Sequence, residues 1–438
     1  MIFAFAFVTW LLFVEFKTTG GRHTPALYFL LFMTCLMTIC TLLSNQTPFS
    51  EAGFFFLALI TGAFWIGHLS AAMALGLPNK AFYPGDNYDS ELDRLLTLPA
   101  VFKSMRLLAA IGAMAGVAAL ILLFLAATGA GVQVSSFSDL GFLPAFFSAA
   151  RYSTGGGEVE PGSIRLLMVL IEAGSVAGGL LQSTSSRNQK RVIQFAPLGI
   201  AFLMTLVTGA RSYFFLNIVW FFGSLIAVQC VRGQIFKQLR STFFLVRSSL
   251  LLLIGFIFGS AFSLLRYASQ NLVAPTLDQF VAQLVPTMAS SLASIVTATI
   301  IFDQVINPAG VPMHFGAYTF APPLAWLGLE SIRYPPTVYL TNGLSDSNQY
   351  SLTGFLLMDF GPYITFIIYF MTGSLAATAV HLVRAGFVVA FPLVVAIICV
   401  ILFSPFHNFF FFTTHVVLFI AMSAVSFFML RYRRKIAG

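Results

Sequence analysis

Five arginines occur where the surrounding sequence would set them at one edge of a lipid bilayer: Arg151, Arg165, Arg211, Arg266 and Arg333. A guanidinium offers a planar fork of donors that fits phosphate oxygens two at a time, and it is less strongly hydrated than an ammonium. Several of them near the outer ends of helices are what a pyrophosphate-linked head group needs from a protein. Arg211 is placed most sharply, in the TGARS turn at 208–212 between two short apolar runs; a buried Arg there has to be paired or put to use. The plainer reading of any of the five is a helix-end Arg whose stem lies along lipid tails while its head reaches the head groups. Arg151 opens RYSTGGGEVEPG at 151–162, where three glycines let backbone amides approach an anion. No GKS or GKT follows, so this is not a nucleotide-binding P-loop. Arg165 and Glu172 stand seven residues apart on one face of one helix, Glu172 serving either function or a link to a neighbouring helix. Arg266 closes an apolar run and serves equally as a membrane anchor.

A transfer reaction also needs a base for an incoming hydroxyl. His314 in PMHFGAY is the leading candidate, because imidazole titrates closest to neutral pH. Asp303, Asp346, Asp359, Glu158 and Glu160 are the carboxylate alternatives. Asp359 stands just before Gly361-Pro362, and Pro in a first helical turn marks a helix start, so Asp359 also suits a helix dipole. Asn342, Asp346 and Asn348 form a polar cluster suited to sugar hydroxyls and equally to turns. His407 and His415 share a helix face without a third ligand. There is no G-x-S-x-G, H-E-x-x-H or outward D-x-D, and no metal or other cofactor is expected. Cys35, Cys40, Cys230 and Cys399 all fall in apolar runs, which gives neither a disulfide framework nor a zinc site.

The elements that carry these residues follow from composition. The 438 residues are 58% hydrophobic and 9% charged, with a mean hydropathy of +0.90. A soluble domain carries about 25% charged residues, so the apolar excess has to face lipid. Runs long enough to cross a bilayer are expected near 2–16, 25–43, 52–76, 104–128, 163–181, 193–208, 213–231, 248–265, 362–380, 386–403 and 408–430. This is an all-α, polytopic integral membrane protein of about eleven spans, forming one membrane domain over 1–438. The first run lacks a basic leader and an A-x-A site, so it reads as a retained span. Lys and Arg concentrate in the loops near 17–22, 80–106, 187–191, 232–247, 384 and 431–435. The positive-inside rule makes that side cytoplasmic, with the N-terminus outside and the C-terminus inside. Most of the +8 net charge is then topology and not a nucleic-acid surface. Two large loops face outward, 129–162 and 266–361, the second expected to carry short interfacial helices. In the main cytoplasmic loop, DNYDSELDRLL at 86–96 has Tyr88 where a calcium loop wants Asp or Asn. Ser90 and Asp93 read instead as a capping box opening an amphipathic helix.

Three stretches carry a resemblance: TGARSYFFLNIVWF at 208–221, HFGAYTFAPPLAWLGLESIRYPP at 314–336 and LLMDFGPYITFIIYFMTGSL at 356–375. They resemble the O-antigen polymerase (Wzy-type) oligosaccharide repeat-unit polymerases, which show a T-G-x-R turn between central helices. Those proteins also show a Gly-x-Tyr before a Pro-rich stretch in a large periplasmic loop, and an acidic or polar residue before Phe-Gly. RYSTGGG at 151–157 resembles their earlier Arg-containing loop. The resemblance implies a GT-C-like membrane glycosyltransferase of the bacterial inner membrane. Such an enzyme moves a glycan from undecaprenyl pyrophosphate onto a new lipid-linked repeat unit at the periplasmic face, without metal. It implies undecaprenyl-pyrophosphate-linked oligosaccharides and membrane lipids as partners, a chain-length regulator protein as a further candidate, and no nucleic acid. By position, Arg211 matches the T-G-x-R arginine, Arg151 the early-loop arginine and Asp359 the residue before Phe-Gly, while His314 stands beside the Gly-x-Tyr. Arg165, Arg266, Arg333, Asp346 and Asn348 remain candidate substrate contacts. The other functions the sequence admits are an O-antigen ligase and a flippase or transporter of lipid-linked oligosaccharides; against a transporter stands the lack of internal repeats.

Overall fold

The computed structural model describes residues 1–42, 51–75, 91–131, 143, 146–147, 162–184, 192–208, 211–233, 317–329, 351–404 and 413–437, some helix ends by backbone alone. Arg151, Arg266, His314, Arg333, Asp346 and Asn348 lie outside the described residues, as do the run at 248–265 and most of the two stretches expected as outward loops. Among the described residues every regular element is helical. In chain order these are α1 (Ile2–Thr18), α2 (Pro25–Leu42), α3 (Glu51–Ala74), α4 (Glu91–Thr97), α5 (Pro99–Gly129) and α6 (Gly162–Thr184). They continue with α7 (Ala196–Thr208), α8 (Arg211–Arg232), α9 (Ala321–Trp326), α10 (Leu352–Arg384), α11 (Phe391–Phe403) and α12 (Thr413–Ala437). Five of them, α3, α5, α6, α8 and α10, are long and apolar enough to cross a membrane. The chain is an α-helical membrane protein, and helices stand where most of the apolar runs predict them.

The chain packs as two compact units, Met1–Leu95 with Ile226–Lys237 and Leu292–Gly438, and Leu96–Leu225 with Gln238–Ser291. In the first unit α3 and α10 form the main seam. Lipid tails are as apolar as leucine, so helices in a bilayer associate through close backbone approach and interhelical hydrogen bonds. Gly67 faces the Phe370 carbonyl and Gly373 faces the Phe64 carbonyl, each with no room for a Cβ. Ser374 then donates to the Gly67 carbonyl at 3.0 Å. Nearly every residue of α11 is buried, as expected of a helix that is apolar all round.

One end of this unit gathers segments that the charge bias assigns to a common side. Arg384 donates to the carbonyls of Cys230 (2.6 Å) and Val231 (2.9 Å), and Arg22 to that of Gly233 (3.0 Å). The first two are among the last carbonyls of α8, which have no partner within the helix, and Gly233 is the residue that follows it. Arg232 pairs with Asp93 of α4 at 2.5 Å, and Leu92 and Leu96 turn α4's apolar side inward. The amphipathic helix expected from 90 onward is therefore present but short, since the chain breaks at Leu98 before α5 opens at Pro99. Glu15, inside the first apolar run, is only 3% exposed. Its carboxylate accepts Thr24 Oγ1 (2.6 Å) and Trp65 Nε1 (3.0 Å), tying α1 to α2 and α3.

In the second unit α5 packs along α6 and α7. Ala115, Ala119, Leu123 and Ala127 of α5 meet Ile164, Met168 and Ile171 of α6 and Ala201 and Met204 of α7. Leu143 and Phe147, from the stretch between α5 and α6, join the same core. Gly112 and Gly174 lie backbone to backbone. The opposite face of α5 exposes Leu107, Ile111, Met114, Ile121 and Leu125, the surface a lipid-bathed helix presents.

Two expectations follow. Replacing Gly373 by Leu should drive side-chain atoms into the Phe64 carbonyl and lower stability by about 1–3 kcal/mol, read as a reduced melting temperature in detergent, whereas Gly199→Leu, which meets nothing, should leave the melting temperature unchanged. His23, in the connection from α1 to α2, bonds the Tyr28 hydroxyl at 2.6 Å, and burial lowers its pKa from 6.5 to about 4. The unfolded chain therefore takes up a proton that the folded one refuses. The His23 contribution is complete above pH 6.5 and is lost as pH falls toward 4, so His23→Gln should flatten the acid limb of a melting-temperature profile.

Candidate functional site

Asp359 is the predicted site residue whose surroundings are best defined. It lies in α10, which begins at Leu352, inside the stretch read as outward loop. Ser351 caps that start by accepting the Gly354 amide at 3.1 Å. The helix then breaks at Gly361, whose φ of 73° and ψ of 178° belong to a region essentially reserved for glycine. Pro362 begins the longer second half, so the Gly-Pro pair marks a break within a helix and not the first start of one. Thr353, before the break, and Tyr369, after it, share a hydrogen bond of 2.6 Å. Thr365 donates to the Gly361 carbonyl at 2.7 Å, the bond a helical threonine makes to the carbonyl one turn earlier.

The Asp359 carboxylate is 0% exposed. One oxygen accepts the Tyr318 amide at 3.2 Å and the other the Thr319 amide at 2.6 Å. Each partner is a backbone donor on a turn leading into α9, so a charged acceptor replaces water that two buried amides would otherwise need. Aromatic rings flank the contact, Tyr318 against Phe355 at 6.3 Å and Phe320 against Phe360 at 6.4 Å. Burial and the Asp359 charge both raise the Tyr318 pKa, keeping the phenol protonated. The Gly-x-Tyr segment and the residue before Phe-Gly, which the sequence brings up separately, are thus joined directly. Asp359 serves this turn here, which is more specific than the helix-dipole role its position suggests.

The second unit holds the other described candidates. Arg211 is the first residue of α8, and Thr208 the last of α7. Arg165 stands exposed in the first turn of α6, while Glu172 is 1% exposed. The two share a nominal helix face but not an environment, because Arg165 lies at the open end and Glu172 two turns deeper in the packed part. Among the described residues no three His, Cys, Asp or Glu side chains come together as a metal site. In the first unit, His415 is buried with its ring edge-on to Phe403 at 6.5 Å.

Residues that sequence reasoning passed over include Glu15, Thr205, Ser175 and Asn217, all buried. The available signal was a polar residue inside an apolar run, which in a bilayer has to find a partner. No protein-family model, curated protein or solved structure matches the chain.

Asp359→Asn should set an amide NH2 against a backbone donor and remove the charge assistance, at a cost of about 1.5–3 kcal/mol. Limited proteolysis between 317 and 329 should then quicken while cleavage elsewhere stays unchanged.

Proposed function

We propose that this protein is a membrane glycosyltransferase that polymerises lipid-pyrophosphate-linked oligosaccharide repeat units at the extracytoplasmic face of a bacterial inner membrane. The observation that carries the reading is the joint between the Tyr318–Thr319 amides and Asp359. It links two of the three motif stretches on which the resemblance to O-antigen polymerases rests, through a contact that neither stretch needs for helix formation. A loop held down onto a late helix in this way is what an enzyme requires to keep its large outer loop in register over a membrane-embedded donor.

The chemistry divides among residues as follows. The bond from the anomeric carbon to the pyrophosphate breaks and one from that carbon to an acceptor hydroxyl oxygen forms. The electrons of the broken bond leave on the diphosphate, and the hydroxyl proton passes to a base. Arg211, with Arg151, takes the charge that grows on the diphosphate; such preorganised donors act most strongly where water is excluded. His314 is the candidate base. Asp359 organises the loop, while Arg165, Arg266, Arg333, Asp346 and Asn348 remain candidates for phosphate and sugar contacts. Undecaprenyl-pyrophosphate-linked oligosaccharides are the proposed substrates, and a chain-length regulator the proposed protein partner.

Arg211→Ala should lower turnover by about 10²–10³-fold with the protein level held. Glycolipid profiling of cells carrying it should show single repeat units in place of a polymer ladder. Repeat units trapped on the cytoplasmic leaflet would point to a flippase instead, and long polymer retained on its lipid carrier to a ligase.

A further inference from the structure

The start of α8, whose first residue is Arg211, is held from within the second unit by side chains for which the proposed reaction has no direct use. Thr205, near the end of α7, accepts the Phe214 amide at 3.1 Å across the turn. Backbone donors run short of carbonyl partners near a helix start, so this hydroxyl caps α8 from a neighbouring helix. Asn217 donates Nδ2 to the Tyr213 carbonyl at 2.8 Å and accepts Ser175 Oγ from α6 at 2.7 Å. Thr205, Asn217 and Ser175 are all buried. Further along, Ser224 donates to the Val176 carbonyl at 3.1 Å, and Gly179 leaves space for the Phe221 carbonyl. Asn217, Phe221 and Ser224 recur at i, i+4 and i+7, one face of α8. That face fixes the rotation of α8 about its axis, and Thr205 fixes its first turn against α7.

We infer that Thr205, Asn217 and Ser175 are positioning residues for Arg211, setting the register at which the first residue of α8 meets a diphosphate. This rests on the polymerase reading above. Apolar packing between helices in lipid tolerates small slides and rotations, because nothing apolar distinguishes a neighbouring helix from a lipid tail. A hydrogen bond from a particular amide to a particular hydroxyl tolerates neither. The three residues act through the arginine and not on the sugars, so their loss should appear in the chemical step.

The test uses the full-length protein in lipid vesicles, with single-repeat glycolipids extracted from a deletion strain as donor and acceptor. Thr205→Val removes the acceptor at nearly constant volume, and displacement of a catalytic group by about 1 Å can cost 10²-fold. The expected result is at least a tenfold loss of turnover (~10-fold being a fraction of that displacement effect) with KM little changed and Thr205→Ser close to wild type. Asn217→Leu should behave as Thr205→Val does, which keeps the test decisive if one variant folds poorly. In an Arg211→Ala background neither substitution should reduce the residual turnover further, since a positioning residue has nothing left to position. Losses that multiply onto that of Arg211→Ala would overturn the proposal, marking an independent structural effect. Full turnover in both variants beside an inactive Arg211→Ala would overturn it while leaving the arginine clamp standing. Wild-type turnover in Arg211→Ala itself would overturn the clamp, and the positioning role with it.

Discussion

A bilayer interior contains no water to satisfy a stranded polar group and gives no hydrophobic reward for pressing two apolar helices together. Close backbone approach is what remains, and each unit is built around a place where glycine permits it. At the α3–α10 seam Gly67 and Gly373 each receive the carbonyl edge of the other helix, and at the α5–α6 seam Gly112 and Gly174 meet directly. Once backbones are this near, Ser374 reaches a carbonyl across the α3–α10 seam, and Ser224 does the same between α8 and α6, where Gly179 leaves the space. The hydrogen bonds that give these interfaces their register are a consequence of the missing Cβ atoms.

The same scarcity of partners explains how the buried acids are used. Glu15 takes a hydroxyl from one segment and an indole from another, joining α1 to two neighbours. Asp359 takes two consecutive backbone amides from a segment forty residues earlier in the chain. A buried carboxylate with both oxygens committed is costly to break and tolerates little variation in its surroundings, so each such residue fixes one loop or helix relative to another. Arginines at the opposite polarity do likewise: Arg384 closes off two of the last carbonyls of α8, and Arg22 the carbonyl of Gly233 just beyond it.

For the proposed transfer reaction this division of labour is coherent. A diphosphate leaving group calls for cations whose positions are set before it arrives, because reorganisation during the reaction would cost what the charges supply. The first turns of α8 are held from α7 by Thr205 and from α6 by Ser175, and the turn at Tyr318 is anchored by Asp359 beside a break that only glycine accommodates readily.

Much of the helical plan was legible in the sequence, because a residue's hydropathy relative to lipid is a local property. Runs such as 52–76, 104–128 and 213–231 reappear as α3, α5 and α8 with small shifts at their ends. The loop charges at Arg22, Asp93, Arg232 and Arg384 were likewise assigned to one side before any contact was known. Asp359 and Arg211 were picked out by type and position, but not what surrounds them. That α10 begins ahead of Gly361 was hidden, since Gly-Pro signals a start and a break alike. Who partners a buried polar group depends on which helices touch and at what rotation, a property of no single segment; hence the Tyr318–Asp359 joint, the Thr24–Glu15–Trp65 tie and the Ser175–Asn217 bridge were decided by tertiary structure alone.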